Sequence, residues 1–524
     1  MAMARSLAPV LLLITFFCCY GSIPSLASSD DFLQCLSANI PNQHLYTQSS
    51  STFTSVLVSY IRNPKFSTRT MVKPLCIITP TNASQVQATV ICGRRHGVRL
   101  RVRSGGHDYE GLSYRSVRPE EFAVVDMANL RAVRINRKTS TAWVDSGATL
   151  GELYYAIGKT SSRLAFSAGI CPTVGVGGHF SGGGFGMMLR KYGAAIDSVV
   201  DAVLVDAHGR LLDRKAMGSD VFWALRGGGG ESFGVVLSWR VKLAPVPAKV
   251  TVFTVPVSVD RGAVDIVTKW QQVGPALPAD LQVRVLVQKQ VASFQALFLG
   301  TCDALMPTMR RRLPELGMNR THCREMPWIQ TVPYFYPGGN ATVEDIVSRT
   351  DTSSYSTAFK GTSDYVREPI ARDVWEEIFK RLAPPDAGLM ILAPYGAGIG
   401  GVPASATPYP HRGGVLYNIQ YMNFWSTARG DDGTAHTEWV RGMYAFMEPH
   451  VSKNPRQAYF NFRDLDLGQN VVVSNVSSYE AGKVWGEKYF MDNYHRLALA
   501  KGQIDPDDYF RNEQSIPPLV PRNW

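Results

Sequence analysis

The sequence predicts an α+β protein, and three observations carry that prediction. From about Cys76 to Pro247, short Val/Ile/Leu-rich segments alternate with Gly-rich loops and a few helical patches. From roughly Lys249 to Ser405, alternating segments mix with amphipathic stretches, which gives the look of a second α/β domain. A helix-period tail, Glu480 to Leu497, is followed by a Pro-rich end, Ile516 to Pro521. In the first region the strand candidates are Val98 to Val102, Phe122 to Asp126, Thr141 to Asp145, Val199 to Val205 and Gly234 to Leu243. In the second they are Leu281 to Val287 and Ala296 to Leu299, with a helix candidate at Asp373 to Leu382. At 524 residues the chain has room for two or three domains and a large core. Its 45% hydrophobic and 19% charged content excludes disorder, collagen and coiled coil.

Residues 1–27 read as a secretory signal peptide. Arg5 precedes an apolar run from Leu7 to Tyr20, and Ser25-Leu26-Ala27 supplies small residues at cleavage spacing. The run is shorter than the ~20 residues a membrane span needs, so no span is expected. A secreted, extracellular or cell-wall location follows, in an oxidising compartment. Asn82, Asn319, Asn340 and Asn475 stand in Asn-x-Ser/Thr sequences open to glycosylation. The formal net charge of +11 suits adhesion to an acidic cell-wall polymer. Basic clusters at Arg99, Arg101, Arg103 and at Arg310 to Arg312 lack interleaved aromatics, which argues against nucleic-acid binding. Once residues 1–27 are set aside, Cys35, Cys76, Cys92, Cys171, Cys302 and Cys323 remain, and spacing alone does not pair them. No CxxC, HExxH or HxH spacing occurs, so no metal site is expected.

The densest chemical signal is Cys171-Pro172-Thr173-Val174-Gly175 through Gly186. Glycines in such density let the backbone approach a ligand, so that Gly175, Gly177, Gly178 and Gly183, with His179 among them, form a candidate cradle for a diphosphate. Gly227 to Gly230 is a second cluster of this kind. Ser104-Gly105-Gly106-His107-Asp108-Tyr109 is a third element, with a histidine after paired glycines. The only GxGxxG, Gly396 to Gly401, runs into Pro403 where a helix should start, and no GxxxxGK[ST] exists. The expected ligand is therefore a large diphosphate cofactor held by some other fold. Cys171, just before backbone N–H groups that would favour a thiolate, is a candidate reactive thiol.

These motifs, together with Asp31 to Leu36, Lys73-Pro74-Leu75, Pro410-His411-Arg412 and Phe510 to Leu519, resemble the berberine-bridge-enzyme-like family of FAD-linked oxidoreductases, which has the vanillyl-alcohol oxidase fold. Among its members the chain looks most like the grass-pollen group-four allergens. The resemblance implies a split FAD-binding domain of the PCMH type. Residues 28–247 would form its first part, with a core from about 70 to 247, and residues 468–524 would complete it. Residues 248–467 would be a substrate domain with an antiparallel sheet. It also implies FAD held bicovalently through His107 and Cys171, and a Cys35–Cys92 disulfide.

For the chemistry, an alcohol or hemiacetal must give its hydroxyl proton to a base while its carbon yields hydride to the flavin. By similarity the candidates are Tyr109, Tyr192 and Gln420, with Tyr192 the preferred base. Period two places Asn418 and Gln420 on one strand face, as a polar lining requires. The family's Tyr-x-Asn-Tyr-Arg-Asp segment reads Tyr459-Phe460-Asn461-Phe462-Arg463-Asp464 here, so Phe462 replaces a tyrosine. Val174 resembles the family's oxygen gate, where valine goes with oxygen access. The expected activity is oxidation of a carbohydrate at its anomeric carbon by molecular oxygen, giving hydrogen peroxide, with a small-molecule or oligosaccharide substrate. Oxidation of an aromatic allylic alcohol of monolignol type, or a wall flavoprotein of low turnover, are the competing readings.

Overall fold

A computed structural model of the chain describes residues 29–68, 70–336, 341–349 and 357–520. The signal segment and Asn340 lie outside the described residues. The helix Ser29–Ser37 is tied by the Cys35–Cys92 disulfide to the helix Ala83–Arg95, whose first turn is capped by Asn82 accepting from the Gln85 amide at 3.1 Å. Beside it runs a four-stranded sheet in the order Leu45–Thr47, Cys76–Ile78, Phe122–Asp126, Arg99–Arg103, of which the last three strands are parallel. Such a sheet is covered on both faces, and Phe122–Asp126 is buried at every position.

A five-stranded antiparallel sheet follows, ordered Val133–Asn136, Thr141–Asp145, Val235–Lys242, Val199–Val205, Leu211–Leu212. The helix Leu150–Thr160 starts at a capping box in which Thr149 and Glu152 bond each other's backbone N–H. Its first turn also fixes the next loop, because the amides of Leu150 and Gly151 donate to the carbonyls of Val174 and Pro172.

The second half is built on a seven-stranded antiparallel sheet: Arg324–Met326, Val250–Ser258, Val291–Phe298, Leu281–Gln288, Leu389–Pro394, Tyr417–Ser426, Thr357–Val366. Val283, Val285, Leu392, Ile419 and Tyr421 point to one face, where they form a core with Trp270, Leu305, Trp375 and Met443 from four covering helices. Alternation then sends Gln282, Arg284, Ile391, Ala393, Gln420 and Met422 to the opposite face, toward the cavity.

Phe122–Asp126, Thr141–Asp145 and Val199–Val205 have the boundaries the sequence predicts, the candidate Gly234 to Leu243 is trimmed by one residue at each end to Val235–Lys242, and the others shift or lengthen by a few residues. The predicted tail helix is two helices, Tyr479–Phe490 and Asn493–Ile504, broken at Met491, whose φ is 49°. Trp485, Leu497, Ile504 and Ile516 from this tail share a core with Leu150 and Trp239, so the end of the chain closes over the first half. Cys302 and Cys323 form a second disulfide, a pairing the sequence leaves open, and Cys76 and Cys171 are free thiols.

Candidate active site

Two loops meet to make the site. Gly105 and Gly175 pack backbone to backbone, and a Cβ on either would collide with the other's amide. Only glycine permits that approach. Its consequence is that His107 and Cys171 converge on one hydroxyl: Thr173 Oγ1 lies 3.1 Å from His107 Nε2 and 3.4 Å from Cys171 Sγ. Burial, reinforced by the Arg62 charge, pushes the His107 imidazole down to about 3, so it is neutral and nucleophilic. Burial raises the Cys171 thiol, and this outweighs the hydrogen bonds from Thr173 and Val174 that act the other way. The thiolate that the N–H groups of the following loop would favour is therefore corrected to a protonated thiol at neutral pH.

The cavity has a volume of about 530 Å³, within the range of cofactor and ligand sites. One wall carries Ser104, Gly105, Gly106, Gly175, Gly177, Gly178 and His179. His179 Nε2 accepts from the Gly169 amide at 2.9 Å, and burial brings its ring down to about 4. The opposite wall is the sheet face. There the Gln420 amide donates to the Tyr109 hydroxyl oxygen and, at 3.1 Å, to Met422 Sδ. Phe462 stacks on Tyr109 with centroids 5.5 Å apart, and Phe359 meets it edge-on at 5.0 Å. Burial drives the Tyr109 phenol well up, charge on Cys171 adds to this, and the Gln420 bond opposes it. Arg284, also on the sheet face, donates through Nε and Nη2 to Gln295 Oε1 at 2.9 and 2.5 Å. Its partner is neutral, and burial lowers its guanidinium to about 10.

Of the predicted residues, His107, Cys171, Val174, Tyr109, Gln420, Ser104, His179 and the glycines 105, 106, 175, 177 and 178 line this one cavity, whereas of the second cluster only Gly230 reaches it. Gly183 does not; it packs against the rings of Tyr409 and Tyr459. Tyr192 does not either: its hydroxyl donates to the Pro245 carbonyl, and the short helix Leu189–Tyr192 turns it outward while burying Leu189 and Arg190. That corrects its assignment as base. Asn418 is buried and donates to the Asp364 carbonyl at 3.0 Å, short of the cavity. The sequence reading missed Arg284, Phe185 and Tyr459, all in the wall, and the Glu231–Arg463 ion pair at 2.6 Å. Alternation along Leu281–Gln288 was the available signal for Arg284. Asn82, Asn319 and Asn475 are exposed.

The cavity fits an extended flavin cofactor. Ser113 Oγ and Arg463 Nε face it as buried polar atoms without a hydrogen-bond partner, and no atom lies within 4 Å of where a Gly178 side chain would start. Exposed backbone, orphaned donors and a neutral histidine beside a thiol suit a dinucleotide with a reactive ring. Residues 74–214 match the family model of the FAD binding domain, and residues 458–517 match berberine and berberine like. Fold and site thus define an FAD-binding oxidoreductase acting on CH–OH groups. The chain is 62% identical over 491 residues to berberine bridge enzyme-like Cyn d 4 of Cynodon dactylon, covering 94% of this chain and 93% of that protein. It is 46% identical to berberine bridge enzyme-like 22 of Arabidopsis thaliana, covering 98% and 100%. Its fold superposes with a TM-score of 0.91 on the crystal structure of Phl p 4, a grass pollen allergen with glucose dehydrogenase activity, at 57% identity over 94% of this chain and all of that one. The chain belongs to the berberine bridge enzyme-like family.

Proposed function

We propose that the protein is a secreted oxidase that removes hydride from the anomeric carbon of a sugar, with FAD bound bicovalently through His107 and Cys171 and reoxidised by oxygen. When bound, the flavin supplies the hydride acceptor and the site of reaction with oxygen. The observation that carries the reading is the shared cavity: His107 and Cys171 stand on one wall, and the Tyr109–Gln420 pair faces them from the other. His107, neutral, and Cys171, held near it by Thr173, would hold the ring at two points. Tyr109 takes the substrate's hydroxyl proton, and the Gln420 N–H stabilises the oxygen that takes part in that transfer. Phe462 contributes a flat stacking surface and no proton chemistry.

Val174 supports the oxidase form. Wild-type Phl p 4 is described as a glucose dehydrogenase, and its isoleucine-to-valine variant as a glucose oxidase. A double variant of Phl p 4 with introduced valine and histidine five positions apart is also a glucose oxidase, and this chain carries Val174 and His179 at that separation. The aromatic walls, Phe185, Phe359 and Phe462, favour as second reading a planar allylic alcohol of monolignol type. The test is the absorption spectrum of the acid-denatured protein, followed by peroxide release against sugars and aromatic alcohols. Yellow colour retained on the chain and turnover of sugars support the proposal. Flavin released into solution would refute the double attachment, and peroxide only from aromatic alcohols would move the substrate to the second reading.

A further inference from the structure

A second concavity, of about 660 Å³, shares no residue with the catalytic cavity. It opens where the helix Arg214–Leu225 is interrupted at Gly218, whose φ is 78° and around whose missing side chain nothing lies within 4 Å. Four cations converge there, Arg214, Lys215, Arg226 and Arg496, the last of them ion-paired to Asp220 at 2.6 Å. Arg214 stands over the Phe222 ring at 4.6 Å and Arg226 over the same ring at 4.9 Å, while Arg496 covers Trp223 at 4.1 Å.

Arg226 is the informative member. Its Nε is buried without a hydrogen-bond partner, and no acid among the described residues forms an ion pair with it. Asp197, whose charge favours the Arg226 guanidinium, is already gripped by both Nη atoms of Arg412 at 2.7 Å. Burial and the charges of Arg214, Arg412 and Arg496 all press the Arg226 guanidinium down. A planar fork left in this condition calls for an oxyanion from outside the chain. The rim also carries Asp201 and Asp213. Two carboxylates would repel a phosphate dianion, but they accept hydrogen bonds from hydroxyls. An anion flanked by hydroxyls satisfies both sets of groups.

We propose that this groove binds the uronate units of an acidic polysaccharide, with Arg226 and its neighbours taking the sugar carboxylate and Asp201 and Asp213 the ring hydroxyls. The protein's net positive charge would draw such a polymer in over a longer range. The groove is an anchoring site, separate from turnover.

The test uses the holoprotein and a fluorescently labelled oligogalacturonate, read by anisotropy. Arg226→Met and Lys215→Glu are each expected to weaken binding by about tenfold or more, and an Arg310→Gln/Arg311→Gln control to change it by less than about twofold. Peroxide release from a small sugar should stay unchanged in both groove variants, which keeps this result apart from the fate of the catalytic proposal. Lys215 is exposed, so its variant keeps the test valid if Arg226→Met fails to fold. Three results would overturn the assignment: equal binding of the fully methyl-esterified oligomer, loss of binding that follows Arg310 and Arg311 instead, or displacement by inorganic phosphate at the molarity of the uronate units.

Discussion

Tyr109 must lose its proton before it can accept one, and its surroundings oppose that. Burial raises the phenol above its ordinary value of 10.0, and the Gln420 amide only partly offsets this. The ionised fraction therefore grows tenfold per pH unit throughout the range in which the protein is handled. We expect log kcat/KM to rise steadily with pH through at least about pH 9 with no plateau, and Tyr109→Phe to remove that slope along with about 100-fold or more of kcat. A plateau near neutrality would show that another group takes the proton. At Val174, substitution by Ile should slow reoxidation of the reduced enzyme by oxygen while leaving its reduction by substrate nearly unchanged, as followed by stopped-flow absorbance. Tyr109 was reached through the family resemblance, and the structure places it in the cavity on the loop that carries His107. Tyr192 was misread because a motif does not state the rotational phase of a one-turn helix, and here the phase buries Arg190 and expels the tyrosine.

At the scale of elements, Arg190 is what that helix spends its buried face on. Its guanidinium donates to the carbonyls of Pro275, Leu277, Pro278, Leu281 and Tyr395, so it pins the Gly-rich segment to the start of the strand Leu281–Gln288. Arg190→Met removes the donor these carbonyls share, three of them on the buried residues Leu277, Leu281 and Tyr395. The expected loss is about 3 kcal/mol or more, read as a fall in the thermal midpoint of several degrees. Strands with clean alternation, such as Thr141–Asp145, were readable because one face is apolar. The sheet's cavity face was only half readable. Asn418 and Gln420 were placed together by period two, yet Asn418 is consumed by the Asp364 carbonyl of the neighbouring strand, a contact that depends on register. Gln282 and Arg284 carried the same alternation, but nothing local says which face meets a ligand.

At the scale of the whole molecule, burial of neutral histidine ties stability to pH. His411 is fully buried, stacked on Tyr365 with centroids 3.8 Å apart, and burial lowers its ring to about 3 from 6.5. Between those values the unfolded chain binds the proton and the folded chain does not. Stability therefore rises with pH from about 3 to 6.5, and at pH 5 His411 alone costs about 2 kcal/mol relative to neutrality. His411→Gln should shrink the difference between denaturation midpoints at pH 5 and 7.5 by a corresponding amount. The closure of the tail over the first half was not legible from residues: helical period shows that Trp485 and Leu497 need a partner, but it does not say that the partners lie some 250 to 350 positions earlier. The seven-stranded sheet has a further consequence. Its helix-packed face holds the fold while its other face meets the ligand, so Arg284, Ile391 and Ala393 can be exchanged without breaking into the core or disturbing the Tyr109–Gln420 pair. Substrate preference can therefore drift through a lineage, or be shifted in a mutant library confined to these positions, while the redox half of the molecule stays as it was.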